Sequence, residues 1–175
     1  FKVKKKLTSM ATDTAAGRNT IVRFLGKDGQ SIVSALKNVA LQVSGRKEAK
    51  QLKVNIIKLV AKCGLLVQHR KLTLQDAEPA KQPVYDASST MLELLQLEEG
   101  TARPHTELAA LLMACHDIML PSIVDLMKVH NSQRLTQVFS YCSSEAFLIP
   151  FLNDSRFATD RRDAAQALQN MLNPY

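Results

Sequence analysis

Apolar residues recur at helical spacing along almost the whole chain, and no stretch alternates with the two-residue rhythm of a strand. At about 100° per residue, Val3, Leu7, Met10, Ala11 and Thr14 share one face of a first helix, and Lys2, Lys5 and Lys6 fall opposite. Ile21, Val22 and Leu25 continue that face if the helix runs through Gly17, and "GKDG" at 26–29 predicts its stop. A second helix over about 30–44 turns Ile32, Leu36, Val39, Ala40 and Val43 inward and ends at Ser44-Gly45. The third, about 46–69, is the most apolar, with a narrow polar stripe of Glu48, Gln51, Asn55, Lys58 and Lys62.

Pro79 and Pro83 predict a short turn before a fourth helix around 84–97. A fifth helix starts near Thr106 and carries Leu108, Leu111, Leu112, Cys115, Ile118 and Met119, with Pro121 kinking rather than ending it. Ser132 is expected to open a sixth helix, "SSEAFLIPFLND" a short helix or turn, and Thr159 to cap the last helix. No internal repeat or linker interrupts the pattern. The expected fold is all-α: one bundle of about six to seven helices over 1–175, with 1–25 as a basic amphipathic N-terminal helix.

Charge changes this picture. Residues 1–81 carry 17 Lys and Arg against 5 Asp and Glu, whereas residues 82–175 carry 6 against 11. A basic half of this kind suits an anionic partner, whether nucleic acid, membrane surface or phosphorylated ligand. The three cysteines (Cys63, Cys115, Cys142) sit in apolar helical patterns and read as reduced core residues of a cytosolic protein. No apolar run approaches the roughly 18 residues of a membrane span, and the opening segment lacks the apolar core of a secretory signal.

Three blocks carry a family resemblance: "GRKEAKQLKVNIIKLVAKCGLL", "ELAALLMACHDIMLPSIVDLM" and "SQRLTQVFSYCSSEAFLIPFL". With "AGR" at 16–18 followed by Phe24, they resemble in order and spacing the helices of the TIPE family (tumour necrosis factor-α-induced protein eight-like). The resemblance covers nearly the whole chain except residues 72–105. It implies a helical cylinder around an apolar cavity that holds lipid acyl chains, with a phosphoinositide headgroup bound by basic residues at the mouth. It gives a lining role to Leu36, Leu52, Ile56, Val60, Leu66, Leu112, Cys115, Met119 and Phe139, positions that the helical period turns inward. It gives a headgroup role to Lys4, Lys5 and Lys6, to Arg18 and to Arg70 of the His69-Arg70 pair.

The residues themselves leave alternatives open. The opening lysines can dock an anionic membrane, each contributing about 1 kcal/mol, or simply solvate a tail. Arg18 falls on the apolar side of a continuous first helix, where a phosphate would satisfy its planar fork; a break at Gly17 would swing it to solvent. The Asn55, Lys58 and Lys62 stripe is either a solvent face or a seam against another helix, with His116-Asp117 as the nearest counter-charges. Neither the four histidines nor the cysteines show zinc-ligand spacing, and no phosphate loop, nucleophile elbow or HExxH is present, so neither catalysis nor a metal is expected. Stacking aromatics are scarce in the basic half, which argues against nucleic acid. The expectation is therefore a cytoplasmic monomer, reversibly membrane-associated, that binds and transfers phosphoinositides, with a bound phospholipid or fatty-acid-like ligand and no other cofactor. The alternative is a lipid-free helical adaptor for signalling proteins.

Overall fold

The structure, a computed structural model, describes residues 15–173, and every regular element among them is a helix. They are α1 (Ala15–Val43), α2 (Arg46–Gln68), α3 (Leu74–Gln96), α4 (Thr106–Leu126), α5 (Val129–Cys142), α6 (Glu145–Asn153), a 3-10 turn (Ser155–Phe157) and α7 (Ala158–Leu172). The all-α expectation holds.

Several boundaries differ from expectation. "GKDG" does not stop α1; it folds it back on itself. Gly26 takes φ 69° and ψ −169°, a conformation that costs glycine little. Ile21 then clusters with Val33 and Ile57. In an unbroken helix Ile21 and Val33 would lie about 18 Å apart along the axis, so the chain reverses at Gly26. The helix over Leu74–Gln96 runs through Pro79 and Pro83, where a turn was expected. Gln75 and Pro79, whose carbonyls lose their i+4 donors, are both exposed, so water can take the freed acceptors. A capping box secures its start: Thr73 accepts from the Asp76 backbone, and Asp76 accepts from the Thr73 N–H at 2.8 Å. The α4–α5 break falls at Lys128, not before Ser132, because Lys128 is extended and Met127 buries itself in the core. Asp154, not Thr159, makes the final cap, one 3-10 turn earlier, by accepting from the Arg156 N–H at 2.9 Å.

The principal helix contacts close a ring: α1 on α2, α2 on α5, α5 on α4, α4 on α3, α3 on α7, and α7 back on α1. The short α6 fills one end against α1 and α5. Phe147, Leu148, Phe151 and Leu152 of α6 are wholly buried among Val39, Ala40, Leu52, Leu94 and Leu108, forming a solid plug. A second, smaller core of Leu59, Leu66, Met127 and Leu135 lies toward the other end.

Two buried arginines tie the plug to the ring. Arg103 donates through Nε to the Leu94 carbonyl at 2.8 Å, through Nη1 to Leu152 at 3.1 Å and through Nη2 to Leu97. Arg161 donates through Nη1 to the Phe151 and Asp154 carbonyls, both at 2.8 Å, and through Nη2 to Glu99 at 2.7 Å. These carbonyls end α3 and α6, where the helix offers them no donor, and a cation there also suits the helix dipole.

Arg161→Met should therefore strand buried carbonyls and lower unfolding free energy by about 3 kcal/mol or more, measured by urea denaturation. Arg161→Lys should recover part of that loss. The hydrogen bond from Arg161 holds the Glu99 carboxyl below its ordinary range. A depressed carboxylate contributes stability that is present above its unfolded-state pKa and fades as pH falls through the folded value. Stability should thus fall on acidification below the usual carboxylate range, and less steeply in Glu99→Gln.

Candidate functional site

The inner wall of the ring is apolar, but its apolar surface is not all consumed by packing. Leu36 of α1, Ile56 of α2, Met91 of α3, Leu112 and Met119 of α4 and Phe139 of α5 all adjoin the two cores yet stay only half-buried. Val60 on α2 is half-buried as well. Leu52, Leu66 and Cys115, by contrast, are packed to 6% exposure or less. The positions proposed as lining therefore split into a packed set and an accessible set. Among the described residues α4 is the one helix long and apolar enough to cross a membrane, a feature that its interrupting polar residues hid in sequence. It stands in the ring between α3 and α5, yet only 19% of its most apolar window is buried.

One polar stitch holds α4 to α5. His116 is buried, with Nδ1 2.8 Å from Asp117 Oδ1, Nε2 2.9 Å from Thr136 Oγ1, and its ring tilted against Phe139. Burial pushes the Cys63 and Cys115 thiols up and takes Cys142 to about 12, so none is poised as a thiolate. No three His, Cys, Asp or Glu side chains come together as metal ligands among the described residues. A polar cleft of about 410 Å³ between α1 and α7 is lined by Lys27 but also by Asp160 and Asp163, which makes it a poor anion site.

The basic candidates are not gathered in one place. Lys4, Lys5 and Lys6, and the side chain of Arg18, lie outside the described residues. Arg70 is exposed just beyond α2, with φ 54°, at the end away from the α6 plug. Phe24 packs on Gly64 while Ile21 sits near Ile57, so the first arm of α1 runs alongside α2 in the same direction. Arg18 lies six residues before Phe24 and Arg70 six beyond Gly64, which separates their backbones by about 18 Å along the axis. Arg70 is joined instead by exposed Lys71 and, across the turn beside Met127, by exposed Lys128. That rim escaped sequence reasoning because Lys128 read as helix interior.

The polar stripe of α2 resolves as a seam. Asn55 is buried, accepts from Gln51 at 2.9 Å and donates to Gln137 of α5 at 3.0 Å. Its partners are on α5, not His116-Asp117.

These features can be set beside known proteins. Residues 1–174 match the family described as Tumor necrosis factor alpha-induced protein 8-like. The chain belongs to this family. A relative from Danio rerio, "Tumor necrosis factor, alpha-induced protein 8-like protein 2 A", is 24% identical over 149 residues, covering 83% of this chain and 76% of the relative. The crystal structure of the C-terminal region of G-protein interacting protein 1 from Dictyostelium discoideum superposes with a TM-score of 0.73 at 14% identity, over 89% of this chain and 96% of that one. The likeness to that structure concerns the fold alone.

For this member of the family, Gly64 is a sensitive point of the α1 return. A Cβ there would stand 2.3 Å from the Phe24 ring. Gly64→Ala should expel the ring at a cost of about 1–3 kcal/mol. Amide exchange should accelerate in the first arm of α1 while the α6 plug keeps its protection.

Proposed function

We propose that this chain binds a phospholipid, with acyl chains inside the helical ring and a phosphorylated headgroup at the basic rim, and that it carries such lipids between membranes in the cytoplasm without catalysing a reaction. The reading rests on one observation: half-exposed apolar side chains from five helices turn toward one axis, while one end of that axis is plugged. Apolar surface left unpacked costs roughly 25 cal/mol per Å² relative to burial, and an acyl chain would cover it. Phosphoinositides suit the rim best, because several basic groups can meet several phosphates there. Arg70 belongs to the rim in this reading, with Lys71 and Lys128 added. Lys4, Lys5 and Lys6 would supply diffuse attraction to an anionic membrane, and Arg18, on the first turns of α1, would act apart from the rim.

The alternative of a lipid-free adaptor predicts a filled interior, and two measurements separate the readings. Native mass spectrometry of freshly purified protein should show added mass from a co-purified lipid; a bare chain mass under gentle ionisation would favour the adaptor. Leu112→Trp should be nearly neutral for stability while reducing uptake of a fluorescent fatty acid. Leu52→Trp, in the packed plug, should cost about 1–3 kcal/mol in the same host. Equal destabilisation at both sites with uptake intact would overturn the lipid reading.

A further inference from the structure

α2 and α5 run antiparallel. Ser44, just before α2, meets Tyr141 near the end of α5 at 2.7 Å, and Leu66 near the end of α2 clusters with Met127 and Leu135 at the start of α5. The Asn55–Gln137 hydrogen bond fixes the register between these ends. One turn further along, Lys58 comes beside Arg134, and the turn after that brings Lys62 level with His130. Lys58 lies about 120° around α2 from the inward row of Leu52, Ile56, Leu59 and Cys63, so this ladder is on the outer wall.

The ladder has cations without counter-charges. Lys58 is half-buried and makes no ion pair or hydrogen bond among the described residues. Arg134 is also half-buried, and among the described residues its one side-chain hydrogen bond is from Nη1 to Asn131 Oδ1 at 2.6 Å. α5 contains no acid, and the single acid of α2, Glu48, is ten residues or about 15 Å back from Lys58. From the neighbouring helices, Asp117 of α4 is engaged by His116 and Asp28 of α1 by Asn170, and Asp125, exposed near the α4–α5 break, makes no ion pair among the described residues. Burial, with the nearby Arg134 charge second, lowers the Lys58 pKa, so the two cations crowd each other unfavourably. An anion would relieve it.

We propose that the α2–α5 seam is an anion site in which one phosphate sits between the Lys58 ammonium and the Arg134 guanidinium, with Lys62 and His130 reaching a second phosphate. A guanidinium fork beside a point-charge ammonium suits phosphate oxygens. Its ligand class is a small molecule bearing more than one phosphate, either free or as the headgroup of a lipid. The site is separate from the basic rim, since Lys58 is twelve residues and about 18 Å from Arg70. It also stands whether or not the interior takes an acyl chain.

The test uses the full chain and a probe without acyl chains, inorganic pyrophosphate, followed by NMR. The Asn55 and Gln137 side-chain amides should shift and saturate. Lys58→Met and Arg134→Gln should each weaken that binding at least tenfold, Arg134→Lys should fall between them and wild type, and Arg70→Gln should change it less than twofold. Lys58→Met removes a half-buried unpaired charge, so its melting temperature should hold or rise and lost binding cannot be charged to misfolding. No saturable shift at Asn55 and Gln137, or unchanged affinity in both Lys58→Met and Arg134→Gln, would overturn the site. Flotation with vesicles of phosphatidylcholine containing phosphatidylinositol bisphosphate then assigns the source. Binding lost in Lys58→Met and displaced by pyrophosphate supports the site as one for a lipid headgroup, and vesicle binding indifferent to Lys58→Met alongside lost pyrophosphate binding supports it as one for a free phosphorylated molecule.

Discussion

Arg103 and Arg161 satisfy carbonyls that α3 and α6 cannot satisfy for themselves. Each guanidinium is almost wholly removed from water; Arg103 donates to main-chain oxygens of both α3 and α6, and Arg161 to two main-chain oxygens at the end of α6. Glu99 bridges the pair, 2.7 Å from Arg161 and 3.5 Å from Arg103, from a position still reached by solvent. Such an arrangement gains little from ion pairing alone, since half of it is screened. Its worth lies in replacing water at buried helix ends, where an unpaired carbonyl would carry a full desolvation cost. Without it the apolar seating of the α6 plug would bury unpaired carbonyls at the ends of α3 and α6.

The plug then decides what the remainder of the interior can be. Closing six helices in a ring leaves more axial space than two-layer packing does, and side chains must fill it or leave it accessible. At the sealed end four α6 side chains fill it. Beyond them no further element enters among the described residues, and Leu36, Ile56, Leu112 and Phe139 keep area that a packed core would have removed.

The helical class was legible because period survives even where boundaries do not. Pro79 and Pro83 misled because proline's cost depends on which carbonyls it frees and whether water reaches them, and a one-dimensional pattern does not show the exposed side. The Thr73–Asp76 capping box was a visible signal that the helix began earlier. At Gly26 the sequence showed a breaker but could not show reversal, which follows from Ile21 meeting Val33. The lining set was half legible for a similar reason. Period gives direction, so Leu52 and Leu112 looked alike, whereas only the arrival of α6 determines which of them is packed. Arg103, in a loop, and Arg161, on a polar helix, gave no sign of burial at all.

The cations divide by depth, and depth determines what each can do. Arg70, Lys71 and Lys128 are exposed, so their attraction extends outward but is screened within about 8 Å at physiological salt. They can draw an anionic surface toward the end of the ring away from the α6 plug without fixing its orientation. Lys58 and Arg134 are half-buried on the flank, where screening is weaker than at the rim and Lys58 has already lost part of its hydration. A group in that position discriminates by geometry, since an anion must fit between two fixed helices to reach it. The overall excess of base in residues 1–81 does not explain this pair, because Arg134 comes from the acidic half of the chain. What matters is that the facing stretches of α2 and α5 contain no carboxylate, a local property that net charge conceals.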